Sequence, residues 1–241
     1  MNVHVIIPAA GLGTRMRSTA TSKQPSKQFL EIGGVPILIH TLRKFAAMPQ
    51  ASTICLAMRA NEIETFGPEI VRQVADKRIK MVEGGEHRQQ SVANALAALD
   101  AQPNDIVLVH DAVRPFIDQE IVGHVIAAVE KFGAAIVGMP ATDTIKHVNR
   151  TADGAVIKTT IPREQIVQAQ TPQGFRFAIL KKAFDDAEAE GFLGTDEASL
   201  LERVGLEVHV VMGAPKNIKI TTPLDLALAE FYLAQERQAH S

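Results

Sequence analysis

Short runs of β-branched and aliphatic residues alternate along this chain with longer stretches whose apolar residues recur at helical spacing. The runs cover residues 3–7, 53–58, 79–82, 106–110 and 134–138, with 207–211 and 218–220 late in the chain. Between them, 36–47, 62–74, 89–99 and 119–132 carry the helical period. A β-α-β-α order of this kind predicts an α/β fold: a Rossmann-like, mainly parallel sheet flanked by helices on both faces. Ligands of open α/β sheets bind outside the carboxyl ends of the strands, so functional residues are expected there.

One stretch interrupts the alternation. Residues 143–170 contain two alternating runs around Asp153-Gly154, which is the signature of a β-hairpin. A two-stranded hairpin alone in water is marginal. The arm therefore packs on a second copy of the chain or folds back onto its own sheet. Three helical segments follow, at 176–190, 196–204 and 223–236; Thr195 before Asp196 and Glu197, and Thr222-Pro223 with Asp225, supply start signals for the last two. With no internal repeat or linker, residues 1–241 read as a single domain bearing an arm at about 142–170.

The 241 residues hold 25 Lys+Arg and 27 Asp+Glu, a net charge of 25 − 27 = −2, and 46% are apolar. Such a balance suits a soluble globular protein and disfavours a nucleic-acid binder, which needs basic excess to displace counterions from phosphates. The single cysteine, Cys55, sits in an apolar run and cannot make an internal disulfide. No signal-peptide pattern and no bilayer-length apolar window are found, so a cytoplasmic location without membrane partners is expected.

The first run leads into Pro8-Ala9-Ala10-Gly11-Leu12-Gly13-Thr14-Arg15-Met16. Small residues and two glycines allow a tight turn with N–H groups close to an anion, and Arg15 adds a cation suited to a polyphosphate. A plain strand-to-helix turn is the alternative. A dinucleotide fingerprint would need glycine at Met16, and a P-loop Gly-Lys-Ser/Thr is missing. Glu83-Gly84-Gly85-Glu86-His87-Arg88-Gln89-Gln90-Ser91 forms a second glycine turn before a helix. His110-Asp111-Ala112-Val113-Arg114-Pro115 puts a carboxylate and a guanidinium at another strand end. Lys27 follows the first turn, and Lys219 interrupts a late apolar run, reaching either solvent or an anion. The eight histidines show no metal-ligand spacing and Ser91 has no evident base, so neither a protein metal site nor a hydrolase triad is expected.

These turns, with Lys27-Gln28-Phe29, Val109-His110-Asp111-Ala112-Val113-Arg114-Pro115, Thr171-Pro172-Gln173, Thr195-Asp196-Glu197-Ala198 and Asn217-Ile218-Lys219, run through nearly the whole chain. Together they resemble the 2-C-methyl-D-erythritol 4-phosphate cytidylyltransferase family of isoprenoid biosynthesis. The resemblance implies reaction of CTP with methylerythritol 4-phosphate, Mg²⁺ bound mainly through the CTP phosphates, and a homodimer whose arms reach the partner's site. It implies catalytic roles for Arg15, Lys27, Arg163 and Lys219. Pro8, Ala9, Ala10, Gly11, Gly13, Gly85, Glu86, Ser91 and Ala112 would bind CTP, and Asp111, Arg114, Thr144, Thr171 and Thr195 the sugar phosphate. The link between the glycine turn and the lysine is longer than the family's usual one, so Lys23 competes with Lys27. A ribitol 5-phosphate cytidylyltransferase is the nearest alternative, and a non-catalytic nucleotide-binding module a remote one.

Overall fold

A computed structural model of the chain describes residues 1–11 and 26–239. In chain order the elements are β1 (Val3–Pro8), β2 (Glu31–Ile32), β3 (Val35–Pro36), α1 (Ile37–Ala46), β4 (Ala51–Met58), α2 (Ala60–Val74), β5 (Ile79–Glu83) and α3 (Arg88–Ala97). There follow β6 (Ile106–Val109), α4 (Gln119–Phe132), β7 (Ala134–Pro140), β8 (Ile145–Thr151), β9 (Gly154–Ile161), β10 (Val167–Arg176), α5 (Phe177–Ala189), α6 (Glu197–Arg203), β11 (His209–Met212) and α7 (Pro223–Ala239). No helix among the described residues is long and apolar enough to cross a membrane.

The central sheet has seven strands in the order β11-β7-β10-β6-β1-β4-β5. All neighbours pair in parallel except β10, which runs antiparallel between β6 and β7. Both faces are covered, which is why the strands read as continuous apolar runs rather than as alternating ones. On β1, Val5 and Ile7 face the layer of α1, α2 and α4, where Leu42, Ile70 and Val125 are buried. Ile6 faces the opposite layer, with Val92 of α3, Phe184 of α5 and Leu201 of α6. Successive connections carry the chain from β1 outward to β4 and β5, then back across to β6 on the other side of β1. The carboxyl end of β1 is thus a topological switch point, where diverging loops leave a crevice.

Three features depart from the expectations. The hairpin stands where the alternating runs place it, Ile145–Thr151 against Gly154–Ile161, but residues 167–170, expected at the end of the arm, belong to β10, where 167–169 pair with β7. Pro172 and the polar Gln168, Gln170 and Gln173 disguise β10 as loop, and its register shifts between Ala169 and Gln173. Residues 218–220 form no strand: Ile220 N–H donates to Val113 O at 2.9 Å, and the Arg114-Pro115 turn offers no further ladder partner. At the start of α6 the N-cap is Asp196, not Thr195. Asp196 and Ser199 complete a reciprocal capping box.

Candidate active site

The loops after β1, β5 and β6 meet over the switch point and enclose a pocket. Of the anticipated residues it is lined by Pro8, Ala9, Ala10, Gly11, Lys27, Gly85, Glu86, Ser91, Asp111, Ala112 and Lys219. Gln28, His87, Arg88 and Val113 complete its wall. Gly13, Arg15 and the alternative Lys23 lie outside the described residues. Distant sequence segments therefore converge at the switch point, the place where open α/β sheets bind ligands.

The turn after β5 is built to let the backbone come close. A Cβ on Gly84 would lie 2.6 Å from Ala10 Cβ and 3.0 Å from Ser91 Oγ, so only glycine lets this turn approach the turn after β1. Gly84 N–H donates to Met58 O at 2.7 Å, which ties the turn to β4. Ser91, 2% exposed, accepts from Gly85 N–H at 3.1 Å and donates to His87 O at 3.0 Å. Its hydroxyl hydrogen is thus engaged in holding the turn, leaving one lone pair toward the pocket.

Asp111 is the electrostatic centre. Its Oδ2 lies 2.9 Å from Lys219 Nζ and 3.2 Å from Arg114 Nε, and its Oδ1 lies 3.5 Å from Arg88 Nε. Burial pushes the carboxyl up, but Arg88, Lys219 and Arg114 outweigh it and hold the group far below the usual carboxylate range. Arg88 also binds the buried Glu197 at 2.6 Å. Burial opposes the Arg88 charge, yet the Glu197 and Asp111 carboxylates more than compensate and keep the guanidinium protonated. Anionic and cationic side chains are thus locked together in the pocket wall, where Lys219 remains about a third exposed.

The geometry below Asp111 fixes a tautomer. Burial, against a weaker opposing pull from the Arg114 carbonyl, lowers the His110 pKa to about 4, so the ring is neutral near pH 7. Its Nε2 is 3.0 Å from Arg114 O, which can only accept, so Nε2 carries the hydrogen. Nδ1 therefore accepts from Thr171 Oγ1 at 3.1 Å, and that oxygen accepts from Asp111 N–H at 3.0 Å. Asn217, fully buried, donates from Nδ2 to Thr171 O at 2.9 Å and accepts at its backbone carbonyl from Arg114 Nη1 at 2.7 Å. Arg114 and Thr171 thus brace Asp111 and Lys219 from beneath rather than lining the pocket.

Thr144, Arg163 and Thr195 are exposed and do not line the pocket. Arg163 stands at the base of the arm, where Nη1 donates to Thr142 O at 2.9 Å. Sequence reasoning assigned no role to Arg88, Gln28 or His110. For Arg88 the one available signal was its place between Gly85 and Ser91 in the second turn. Among the described residues, no group of three or more His, Cys, Asp or Glu side chains converges to hold a metal.

Comparison with known proteins is consistent along the whole chain. The model of the family described as IspD: 2-C-methyl-D-erythritol 4-phosphate cytidylyltransferase matches residues 3–235. The curated 2-C-methyl-D-erythritol 4-phosphate cytidylyltransferase of Acidobacterium capsulatum is 58% identical over 235 residues, covering 98% of each chain. That of Solibacter usitatus is 48% identical, covering 98% of this chain and 97% of its own. Among solved structures, the Francisella tularensis cytidylyltransferase superposes with a TM-score of 0.79 at 35% identity, covering 96% of this chain and 99% of its own. The 4-diphosphocytidyl-2C-methyl-D-erythritol synthase of Anaerococcus prevotii gives 0.82 at 30% identity, covering 97% and 96%.

Proposed function

Because the chain belongs to the 2-C-methyl-D-erythritol 4-phosphate cytidylyltransferase family, we propose that its pocket joins CTP to 2-C-methyl-D-erythritol 4-phosphate and releases pyrophosphate. One observation carries the assignment of the site: Lys27 and Lys219 face the same pocket as the backbone turns after β1 and β5, at the switch point of the sheet.

The chemistry asks for charge control rather than proton transfer. A phosphate monoester has its second pKa at about 6, so near neutrality the attacking oxygen is already deprotonated and needs no general base. Its attack on the α-phosphorus of CTP forms one P–O bond and breaks the α–β bridge, and the electron pair departs with pyrophosphate. The obstacle is repulsion between two anions and charge growing on the leaving group, which preorganised cations and N–H groups offset. Lys27 and Arg15 serve the triphosphate, and Lys219 the incoming phosphate. Asp111, ionised and held by Arg88 and Arg114, fixes where the Lys219 ammonium rests. His110, neutral and hydrogen-bonded at both ring nitrogens, takes no part in proton transfer.

The donor set fits Mg²⁺ carried on the nucleotide. With no convergent ligand group among the described residues, and with Asp111 and Glu86 as the carboxylates lining the pocket, most of the ion's ligands would be phosphate oxygens and waters. Bound there, it would neutralise triphosphate charge. Thr144 and Arg163, which do not line the pocket within one chain, complete a site in a homodimer whose arms cross to the partner. Among the described residues β8 and β9 pair only with each other, and this, with the exposed Val156 and Ile157, supports the reading.

Pyrophosphate release from CTP, assayed with methylerythritol 4-phosphate and separately with ribitol 5-phosphate, tests the assignment. Release with the first and little with the second is expected. A preference for ribitol 5-phosphate, or no release with either, rejects it.

A further inference from the structure

Two peptide carbonyls in the turn after β1 are capped by side chains. Gln28 Nε2 donates to Ala9 O at 2.5 Å, and Arg59 Nε donates to Ala10 O at 2.8 Å. Both peptides are trans, and in a trans peptide the carbonyl and the N–H that follows it point in opposite directions. Capping the two oxygens therefore turns the N–H groups of Ala10 and Gly11 away from Gln28 and Arg59. Neither N–H has a partner among the described residues, and both residues line the pocket. Left uncapped, either peptide could flip and present a carbonyl oxygen to an anionic ligand.

Arg59 precedes the first turn of α2, and Glu62 lies within that turn. Glu62 is 6% exposed and accepts from Ser26 Oγ at 2.6 Å. Ser26 immediately precedes Lys27, and one helical turn further along α2 the Phe66 ring stacks on Phe29 with centroids 3.8 Å apart. The start of α2 thus grips the chain on both sides of residues 12–25, by Ala10 at one end and Ser26 at the other. Neither Arg59 nor Glu62 lines the pocket.

We propose that Arg59 and Glu62 are positioning residues for the nucleotide: Arg59 holds the Ala10–Gly11 peptide with its N–H presented to the pocket, and Glu62, through Ser26, sets Lys27. The inference rests on reading this pocket as the CTP site. It makes α2, which contributes no wall to the pocket, the element that preorganises it. Preorganised donors need no rearrangement as charge develops, and small misplacements of such groups are costly.

Equilibrium CTP binding and steady-state kinetics on the full chain test it with Arg59→Met, Arg59→Lys, Glu62→Met and Glu62→Gln. Arg59→Met should weaken CTP binding about tenfold, equally at low and moderate salt, without changing KM for the acceptor, and Arg59→Lys should recover most of the loss. Glu62→Met should lower kcat with little change in CTP Kd, and Glu62→Gln, which keeps an oxygen for the Ser26 hydroxyl, should restore it. Unchanged CTP binding in Arg59→Met overturns the proposal, as does a loss that salt abolishes, since that would be long-range charge alone. A kcat deficit in Glu62→Met that Glu62→Gln does not repair overturns its second half. Failure of the parent chain itself to bind CTP would instead reject the reading of the pocket, and the proposal with it.

Discussion

At the scale of single residues, the site separates side chains that line the pocket from those that hold them still. Lys27 belongs to the first kind. Lys27→Ala should lower turnover about a hundredfold, the roughly 3 kcal/mol carried by one preorganised electrostatic donor, with an unchanged thermal midpoint; steady-state rates and a melting curve check both. His110 belongs to the second kind, and its role shows in stability. Folding lowers its pKa from 6.5 to about 4, so between those values the unfolded chain binds a proton that the folded chain refuses. Stability is therefore complete above about pH 6.5 and declines as pH falls toward 4, by on the order of 3 kcal/mol. Urea titrations at neutral and mildly acidic pH should show this decline in the parent and a clearly smaller one in His110→Gln. Asp111 was legible from sequence because it follows an apolar run directly and sits beside Arg114. Arg59 and Glu62 were not, because their partners lie 49 and 36 positions away and only the packed sheet brings them together.

At the scale of elements, the parallel strands and the helices covering them could be read from hydrophobic period alone. Val5, Leu56 and Leu108, for example, stand in apolar runs and are fully buried. β10 could not be read, since an antiparallel strand carrying Pro172 and three glutamines has neither a continuous apolar run nor clean alternation. What commits it to the sheet is steric. A Cβ on Gly174 would come within 2.7 Å of Val125 Cγ1 and 2.9 Å of Val129 Cγ2, so the missing side chain is what lets α4 lie against β10. Gly174→Ala should therefore destabilise the fold by about 1–3 kcal/mol through overpacking, measured as a lower denaturation midpoint. The 218–220 segment was misread for a related reason. Its apolar residues pack under α7 with Val113 and Phe116 rather than joining a ladder.

At the scale of the whole molecule, the proposed dimer predicts that each pocket is completed by the partner's arm. Subunit complementation in vitro tests it. If Arg163 acts across a dimer, mixing inactive Lys27→Ala chains with inactive Arg163→Ala chains creates heterodimers in which one of the two sites has both groups. Random pairing should then restore roughly a quarter of parental activity. If both groups act within one chain, the mixture stays as inactive as its parts. Because β10 runs against its neighbours, the chain leaves β7 and returns at the pocket end of the sheet, and the two feet of the arm are closed by Ala141 N–H on Ile166 O at 3.0 Å. The arm is in effect a plug-in cassette. Joined to the sheet only through those feet, its length and tip can be altered, or exchanged for another hairpin, without disturbing the seven-stranded scaffold beneath.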